Sequence, residues 1–425
     1  MKQKTRSIAM NRNVKNQNKI LNAKTLLVTA DVGKYINYCY ARTPGGEELE
    51  PFKFHNTGIG FVMVHGIIEL FRKKHNLTRI VFGIESTGNY GEPLIHYMVN
   101  RGIHMVQVNP LHTKKVKEMR GNSPNKNDKK DPKVIADIIA LRNSLTVIIP
   151  IGAAAELDRM VHLREILLED RKRAYNQLES AIVPIFPEFL HIFKDLQIKT
   201  VEYLMKNYPL PDFIIKLGLE DLVKTLYTVS RGHFDKKKAE ILYEAALSSA
   251  GIKEGLEGTI LTIKSLYDKI GLLARQLSQV EECIRVKLSE ISYSRFIMSI
   301  KGIGPIITAA IIGEVGDLRK YNCARQLQKL AGINLYEISS GIQIGQRHIT
   351  KRGRHLLRKM LYYAALNVTR KGRILHDTYH KHLMKGMTKT QALMAISRKI
   401  IGIIYALVRD NSEYIERVDV NKVAA

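Results

Sequence analysis

The sequence predicts three structural regions: an α/β N-terminal domain, a helical coiled-coil middle region and a mainly α C-terminal domain. Strand-like and helical stretches alternate over residues 26–150, and apolar residues recur in heptads around a helical insert over 151–290. Residues 291–425 are mostly helical and open on a glycine-rich turn. Residues 1–25, with seven Lys and Arg and no acid, form a basic arm that can lie on phosphates.

The composition predicts a globular protein with a polyanionic partner. The 425 residues include 67 Lys and Arg against 40 Asp and Glu, a net charge of +27, and 45% are hydrophobic, as in ordinary folded chains. Three widely spaced cysteines without a CxxC pair favour a reducing cytoplasm over a disulfide framework or a zinc site. No apolar run approaches the length of a bilayer span, so the protein is expected to be neither secreted nor membrane-spanning.

The first domain shows strand and helix signals in a recognisable order. Three strands are followed by helix, strand, helix, strand and helix, and Asn56 or Thr57 is expected to cap the first of these helices. The predicted strands are residues 26–30, 35–41, 48–55, 79–84 and 104–108. This is the element order of an RNase H-like α/β domain.

The middle region carries two seams of apolar residues. Ten positions from Leu256 to Leu288 are spaced alternately four and three apart, and nine of them are apolar, the exception being Glu281. A weaker seam from Leu157 to Ile182 is interrupted by Arg164 and Arg171. An antiparallel pair of helices within one chain and a pair between two chains both fit this pattern.

The C-terminal domain begins with a turn that resembles a helix-hairpin-helix DNA-binding segment. Lys301, Gly302 and Gly304 lie between two helical stretches, where backbone amides can approach a phosphate. An ordinary turn between helices is the alternative. Farther on, residues 338–376 contain nine Lys and Arg and no acid, which predicts salt-dependent binding of nucleic acid. The predicted contacts there are Arg347, Lys351, Arg352, Arg354 and Arg358.

Four carboxylates in the first domain stand at positions that are unusual for acids. Asp31 lies within a predicted strand, Glu85 directly follows another, and Asp128 and Asp131 are three residues apart where a loop meets a helix. Four such acids can hold two divalent metal ions, and oxygen ligands favour Mg²⁺. We therefore predict them as catalytic and metal-binding residues. Asp131 alone can simply cap its helix, and Asp137 is a weaker alternative ligand.

Basic residues cluster around the last two of these acids. Eight Lys and Arg against three acids fall between Lys114 and Lys133, which would position phosphates beside the metal ions. The predicted phosphate contacts are Lys114, Lys115, Arg120, Lys126, Lys129 and Lys130.

Several short motifs, in this order along the chain, resemble the DEDD-type transposases of insertion-sequence family one-hundred-and-ten, which are relatives of the Piv DNA invertases. The N-terminal motifs are Ala30-Asp31-Val32-Gly33-Lys34, Gly83-Ile84-Glu85-Ser86-Thr87-Gly88 and Lys126-Asn127-Asp128-Lys129-Lys130-Asp131. The C-terminal motifs are Gly302-Ile303-Gly304-Pro305, Ala331-Gly332-Ile333, Ser339-Ser340-Gly341 and Lys351-Arg352-Gly353. The resemblance spans about residues 26 to 375.

This resemblance implies a RuvC-like first domain and a C-terminal transposase domain with a catalytic serine. The Ser-Gly match favours Ser340 as the nucleophile over the adjacent Ser339, and both remain candidates. The family also implies recombination of element and target DNA guided by a structured RNA, the bridge RNA. We expect a homodimer that assembles to a tetramer, in a prokaryotic cytoplasm and associated with the nucleoid.

Two alternatives compete with this interpretation. A Holliday-junction resolvase or nuclease that uses water would need the acidic quartet but no serine. A non-catalytic nucleic-acid-binding protein would need only the basic surfaces. Metal-dependent strand cleavage separates the binding protein from both enzymes.

Overall fold

A computed structural model of the chain describes residues 21–85, 89–120, 131–141, 144–146, 149–337 and 347–415. The chain divides into two compact units, residues 1–149 and residues 150–425. The first unit is an α/β structure, and the second is almost entirely helical.

The first unit is built on a mixed six-stranded sheet in the spatial order β3-β2-β1-β4-β5-β6. Its strands are β1 (Thr25–Val32), β2 (Ile36–Arg42), β3 (Glu48–His55), β4 (Arg79–Glu85), β5 (His104–Val108) and β6 (Ser144–Thr146). The central strands β1, β4 and β5 are parallel, whereas β2, β3 and β6 pair antiparallel with their neighbours. A mixed sheet of this kind is compatible with an RNase H-like fold, and the predicted order of the first eight elements is present.

Helices cover both faces of this sheet. They are α1 (Gly58–Lys74), α2 (Glu92–Val99), α3 (Pro110–Arg120) and α4 (Asp131–Ala140). Thr57 caps α1, because its side chain accepts a hydrogen bond from the Gly60 amide. Alternate strand residues point to opposite faces, so Leu26 of β1 packs in one core with α1 and α2, while Leu27 packs in another with α4. Burial on both faces explains why Leu26, Leu27 and Val28 of β1 are apolar without alternation.

Two long antiparallel helices, α5 (Ala153–Ile185) and α11 (Leu256–Ser289), form the spine of the second unit. Near the middle, Leu167 of α5 packs against Leu273 and Leu277 of α11. The amide of Ile252, just before α11, donates to the carbonyl of Pro184 at the end of α5. The helices therefore pair within one chain. Leu273, rather than the expected Ala274, is buried in this seam.

Shorter helices pack at the two ends of the spine. One core contains the helices between α5 and α11, namely α6 (Pro187–Ile192), α7 (Lys199–Asn207), α8 (Pro211–Leu217), α9 (Leu219–Ser230) and α10 (Lys236–Leu247). The other contains α12 (Ser294–Met298), α13 (Pro305–Val315), α14 (Ala324–Leu330), α15 (His355–Val368), α16 (His376–Met384) and α17 (Lys389–Asp410). Residues from both ends of the 151–290 region, such as Leu157 and Leu288, belong to this second core.

Helix α17 is apolar and long enough, by length and composition, to cross a membrane. Half of its most apolar window is buried, and Ile396, Ile400 and Ile404 lie in the core of the second unit. Its apolar character is therefore explained by packing inside the protein.

Candidate active site

Asp31 and Glu85 lie side by side at the carboxyl edge of the sheet. The parallel register of β1 and β4 pairs Ala30 with Ile84, and the two acids are the next residue on each strand. Glu85 is the last residue of β4, whereas the sequence predicted it just beyond the strand. Both side chains are half-buried. The edge where parallel strands end is the usual place for a site in α/β sheets.

Asp131 reaches the same edge from helix α4. The Thr29 hydroxyl of β1 donates a 2.7 Å hydrogen bond to the Pro132 carbonyl, which fixes the start of α4 beside the strand that carries Asp31. The Asp131 side chain is largely buried, and its Oδ2 lies 2.6 Å from the Nζ of Lys117 on α3. Asp128, the remaining predicted acid, lies outside the described residues, as do Lys126, Lys129 and Lys130.

The electrostatics of Glu85 show that these groups act on one another. Burial raises the pKa of Glu85 above its usual range, and the nearby carboxylates of Asp31 and Asp131 raise it further. The ammonium of Lys117 and the hydroxyl of Thr113 act to lower the same pKa. The site therefore combines three acids with one lysine, and a divalent cation would relieve the repulsion among the acids.

Sequence reasoning missed Lys117 and Thr113, which both lie on α3 and face this edge. Lys117 was only one of eight cations in a basic stretch, and Thr113 carries no chemical signal in the sequence. The Thr113 hydroxyl is buried and has no hydrogen-bond partner of normal geometry among the described residues. The two residues are four apart, so they lie on one face of α3, but this spacing alone does not mark a site.

The predicted basic residues of this domain lie on the same helix or beyond it. Lys114 and Lys115 are exposed on α3, and the Lys114 Nζ atom lies 4.0 Å from Oε1 of Glu118. Arg120 ends α3, and its side chain is not described. Asp137, the weaker candidate ligand, is paired with Arg42 at 3.2 Å.

A second acidic cluster lies in the helical unit, where no ligand was expected. Asp158, His162 and Glu314 bring three potential ligand atoms within 4.8 Å of one another, the one such group in the described part of the chain. Gly313 allows this approach of α13 to α5, because a Cβ there would lie 2.7 Å from the Asp158 amide nitrogen. The His162 Nε2 atom lies 3.0 Å from Oε1 of Glu314. A guanidinium nitrogen of Arg354 lies 3.7 Å from Oε2 of the same carboxylate. This possible metal-binding cluster already contains an arginine.

The predicted glycine turn of the second unit joins α12 to α13. Gly302 has φ +107°, and a Cβ there would lie 3.3 Å from the backbone of Asn367 on α15. Its conformation and this close approach explain the glycine without a ligand. Gly304 is the extended N-cap of α13, and Lys301 is exposed beside it.

Arg354 and Arg358, two of the five cations predicted to bind nucleic acid near the C-terminal motif, donate hydrogen bonds to backbone carbonyls of the second unit. The Arg354 guanidinium donates to the Glu314 carbonyl, and that of Arg358 donates to the carbonyl of Ala331 at 3.0 Å. Arg347 pairs with Glu337 at 2.7 Å. The other two, Lys351 and Arg352, are exposed.

Two short strands flank the sequence segment that contains the candidate serines. Strands β7 (Leu335–Glu337) and β8 (Arg347–Ile349) pair antiparallel on either side of residues 338–346. The Lys351 amide donates to the Gly332 carbonyl at 2.9 Å, which joins the motifs around these two residues. Ser339 and Ser340 themselves lie outside the described residues.

Two transposase family models match the chain. The DEDD transposase model of the IS110 type matches residues 28–187, and the model described as transposase IS116/IS110/IS902 family matches residues 294–380. The first match includes Asp31, Glu85 and Asp131, and the second includes strands β7 and β8.

Two curated relatives match over most of the chain, and a third matches over about a third of it. A 44.8 kDa protein of insertion element IS116 from Streptomyces clavuligerus is 26% identical over 90% of this chain and 94% of its own length. A 43.6 kDa protein of IS110 from Streptomyces coelicolor is 21% identical over 91% of this chain and 95% of its own length. The pilin gene-inverting protein of Moraxella lacunata is 30% identical over 37% of this chain and 48% of its own length.

The fold, the acidic edge and these matches define a DNA transposase, an enzyme that recombines DNA. The family models and the relatives also define its family. The chain belongs to the IS110 family of insertion-sequence transposases, with a Piv-like relationship to the pilin gene inverters.

Proposed function

We propose that this transposase cuts and rejoins DNA with a metal-bound quartet, Asp31, Glu85, Asp128 and Asp131, and a serine nucleophile, and that a bridge RNA guides it. The observation that carries the proposal is the meeting of Asp31, Glu85 and Asp131 at one edge of the sheet. We further propose that the first domain is RuvC-like, that the middle region is a coiled coil and that the turn at Gly302 is a helix-hairpin-helix-like segment.

The residues at this edge have the chemistry to bind a divalent cation. Three carboxylates supply oxygen ligands of the kind that Mg²⁺ prefers, and the buried Thr113 hydroxyl has no partner of normal geometry among the described residues. When bound there, two Mg²⁺ ions would stabilise the attacking and leaving oxygens of a phosphodiester. Lys117 holds positive charge among the acids and would face the phosphate of the bound strand.

The proposed nucleophile is Ser340, with Ser339 as its alternative. Its hydroxyl oxygen forms a bond to the scissile phosphorus, the bond from phosphorus to one deoxyribose oxygen breaks, and the hydroxyl proton passes to that leaving oxygen. The serine–phosphate ester conserves the energy of the broken bond. A strand hydroxyl from the second DNA then attacks the phosphorus, which restores the serine and joins the strands.

Exposed cations in both units supply the proposed binding surfaces for nucleic acid. Lys114, Lys115, Lys301, Lys351 and Arg352 are exposed, and each phosphate they neutralise would release counterions. Such contacts carry no base sequence. A structured RNA would supply this sequence readout by base pairing with element and target DNA. The purified protein should therefore prefer its cognate RNA over duplex DNA of equal length.

The proposed partners also include other copies of this chain, as a homodimer that assembles to a tetramer. Helix α1 exposes an apolar row formed by Ile59, Val62, Met63 and Leu70, with Ile59 86% exposed. Monomeric proteins rarely expose such a row, so it supports self-association. A prokaryotic cytoplasm with access to the nucleoid is the proposed location, because the substrate is chromosomal DNA.

A covalent trap tests the proposed chemistry. Suicide DNA with a nick near the crossover should yield a protein–DNA adduct that requires a divalent metal and maps by peptide mass to Ser340. Ser340→Ala should lose both the adduct and recombination. The control is Ser289→Ala, which removes an exposed hydroxyl that donates only to the Val286 carbonyl at the end of α11. An adduct lost only in Ser339→Ala would move the nucleophile by one residue.

If the double variant Ser339→Ala, Ser340→Ala still cuts and joins DNA, the serine mechanism is wrong. Cleavage without any adduct would favour a water-using resolvase or nuclease. Binding without metal-dependent cleavage would leave only a nucleic-acid-binding protein.

A further inference from the structure

Asn56 ties together two segments that flank the acidic edge. Its backbone amide donates a 2.9 Å hydrogen bond to the carbonyl of Tyr35, which lies in the turn between β1 and β2. Its side-chain Nδ2 donates to the Tyr90 carbonyl at 3.1 Å, in the segment that follows β4. The same Nδ2 lies 3.3 Å from the Gly33 carbonyl. One asparagine therefore fixes the backbone beyond Asp31 to the backbone beyond Glu85.

A buried residue holds this asparagine in place. Asn37 of β2 is fully buried, and its Nδ2 donates to the Asn56 Oδ1 at 3.2 Å. The Asn37 Oδ1 in turn accepts a hydrogen bond from the Gly33 amide at 3.0 Å. The network therefore starts at a buried side chain of the sheet and ends at the exposed hydrogen bond from Asn56 to Tyr90. The two tyrosine backbones are thus anchored to the sheet.

The side chains on this anchored backbone are aromatic and exposed. Tyr35 is 70% exposed and Tyr90 is 50% exposed. The Lys34 Nζ lies 4.9 Å from the centre of the Tyr35 ring, so a cation stands beside this aromatic face. Holding two tyrosines in water next to a charged site gives no folding stability, because their apolar rings stay unburied.

We propose that Tyr35 and Tyr90 form a stacking site for an unpaired nucleotide of the strand that enters the acidic edge, with Lys34 on its phosphate. Aromatic rings bind single-stranded nucleic acid by stacking on base faces, which are accessible only where a strand is unpaired. Fully paired DNA hides those faces. The site thus holds one base out of the duplex while its phosphate reaches Asp31 and Glu85. This inference rests on the proposed function, which makes that edge the cutting site.

Fluorescence of 2-aminopurine tests the stacking site directly. The full-length protein is titrated, in EDTA to prevent cleavage, with a single-stranded oligonucleotide that carries one 2-aminopurine and with the same sequence as a paired duplex. Wild type should quench the single-strand signal. Tyr35→Ala and Tyr90→Ala should each weaken single-strand binding at least about fivefold, the size of a stacking contribution, and reduce the quenching. Tyr35→Phe and Tyr90→Phe should retain both.

Tyr227→Ala is the matched control, since Tyr227 is 62% exposed on α9 in the other unit. Wild-type binding and quenching by both alanine variants would overturn the stacking site. Loss of binding in the phenylalanine variants would also overturn it, because hydrogen bonding by the hydroxyl would then be the cause. Metal-dependent cleavage, measured separately, tests the proposed function, so the failure of one proposal is distinguishable from failure of the other.

Discussion

The Nζ atom of Lys117 lies 2.6 Å from a carboxylate oxygen of Asp131, at the edge where β1 and β4 carry Asp31 and Glu85. A lysine among three acids lowers their mutual repulsion while no other cation is bound. It also competes with any divalent cation for the same oxygens.

Lys117→Met should bind Mn²⁺ more tightly than wild type in the absence of nucleic acid, by at least about fivefold, because a competing positive charge is gone. Electron paramagnetic resonance of free Mn²⁺ measures this affinity without any reaction. Recombination by the same variant should be slower, because the phosphate loses a cation. Lys114→Met changes an exposed lysine on the same helix and is the control for the Mn²⁺ affinity alone. Equal Mn²⁺ affinities in all three proteins would contradict the prediction.

Asp31→Asn and Asp137→Asn form a matched pair for the proposed metal site. Asp31→Asn should lower strand cleavage by at least about a thousandfold, since loss of one ligand removes several kcal/mol of transition-state stabilisation. Asp137→Asn, which breaks the ion pair with Arg42, should stay within about threefold of wild type, a difference of less than about 1 kcal/mol. Both should bind nucleic acid as wild type does, because cations dominate that affinity. Cleavage assays and filter binding measure the two properties, and cleavage by Asp31→Asn within about tenfold of wild type would exclude its role as a ligand.

The ion pair between Arg164 and Glu281 should stabilise the helical spine. Its Nε and Oε1 atoms are 2.7 Å apart, and both side chains are less than one-third exposed. Arg164→Leu should lower the free energy of unfolding by about 1–3 kcal/mol, because Glu281 loses its partner. The double variant Arg164→Leu, Glu281→Leu should recover most of this loss, since two leucines extend the apolar seam. Denaturant titration of wild type, Arg164→Leu, Glu281→Leu and the double variant gives the coupling, and additive effects would show that the pair contributes nothing.

Stability should fall as the pH rises above neutral because of the cluster around His162. The hydrogen bond to Glu314 raises the pKa of His162 above its usual value, Asp158 adds to this effect, and Arg354 opposes it. A raised histidine pKa gives stability that is complete below the unfolded value of about 6.5 and is lost as the pH passes the folded value. Burial also raises the pKa of Asp158, and the stability change from this carboxyl begins near its unfolded value of about 3.9, at lower pH than that from His162.

Melting temperatures from about pH 6 to about pH 9 measure this dependence. His162→Gln should flatten it, whereas His233→Gln, a histidine in the turn after α9, should leave it unchanged. An unchanged slope in His162→Gln would show that His162 does not cause the dependence.

Much of the first unit could be predicted from the sequence because its signals are local. The strand β1 contains the apolar run Leu26-Leu27-Val28, and Thr57 caps the helix that follows it directly in the chain. Asp31 and Glu85 were visible as acids at strand ends, where the carboxyl edge of a parallel sheet collects them. The sequence could not show that Lys117 lies among them, since nothing local distinguishes this lysine from the other cations of its stretch.

The helical unit shows the same division between local and distant information. The sequence by itself determined two apolar seams, with Arg164 and Glu281 as their interruptions, because heptad spacing is a property of each helix alone. Only the tertiary structure decided that the two helices are antiparallel within one chain and that these interruptions face each other as an ion pair. It also decided that Arg354 and Arg358 contact backbone carbonyls inside the fold. A charge pattern records which side chains are present, whereas their partners depend on residues brought together from distant parts of the chain.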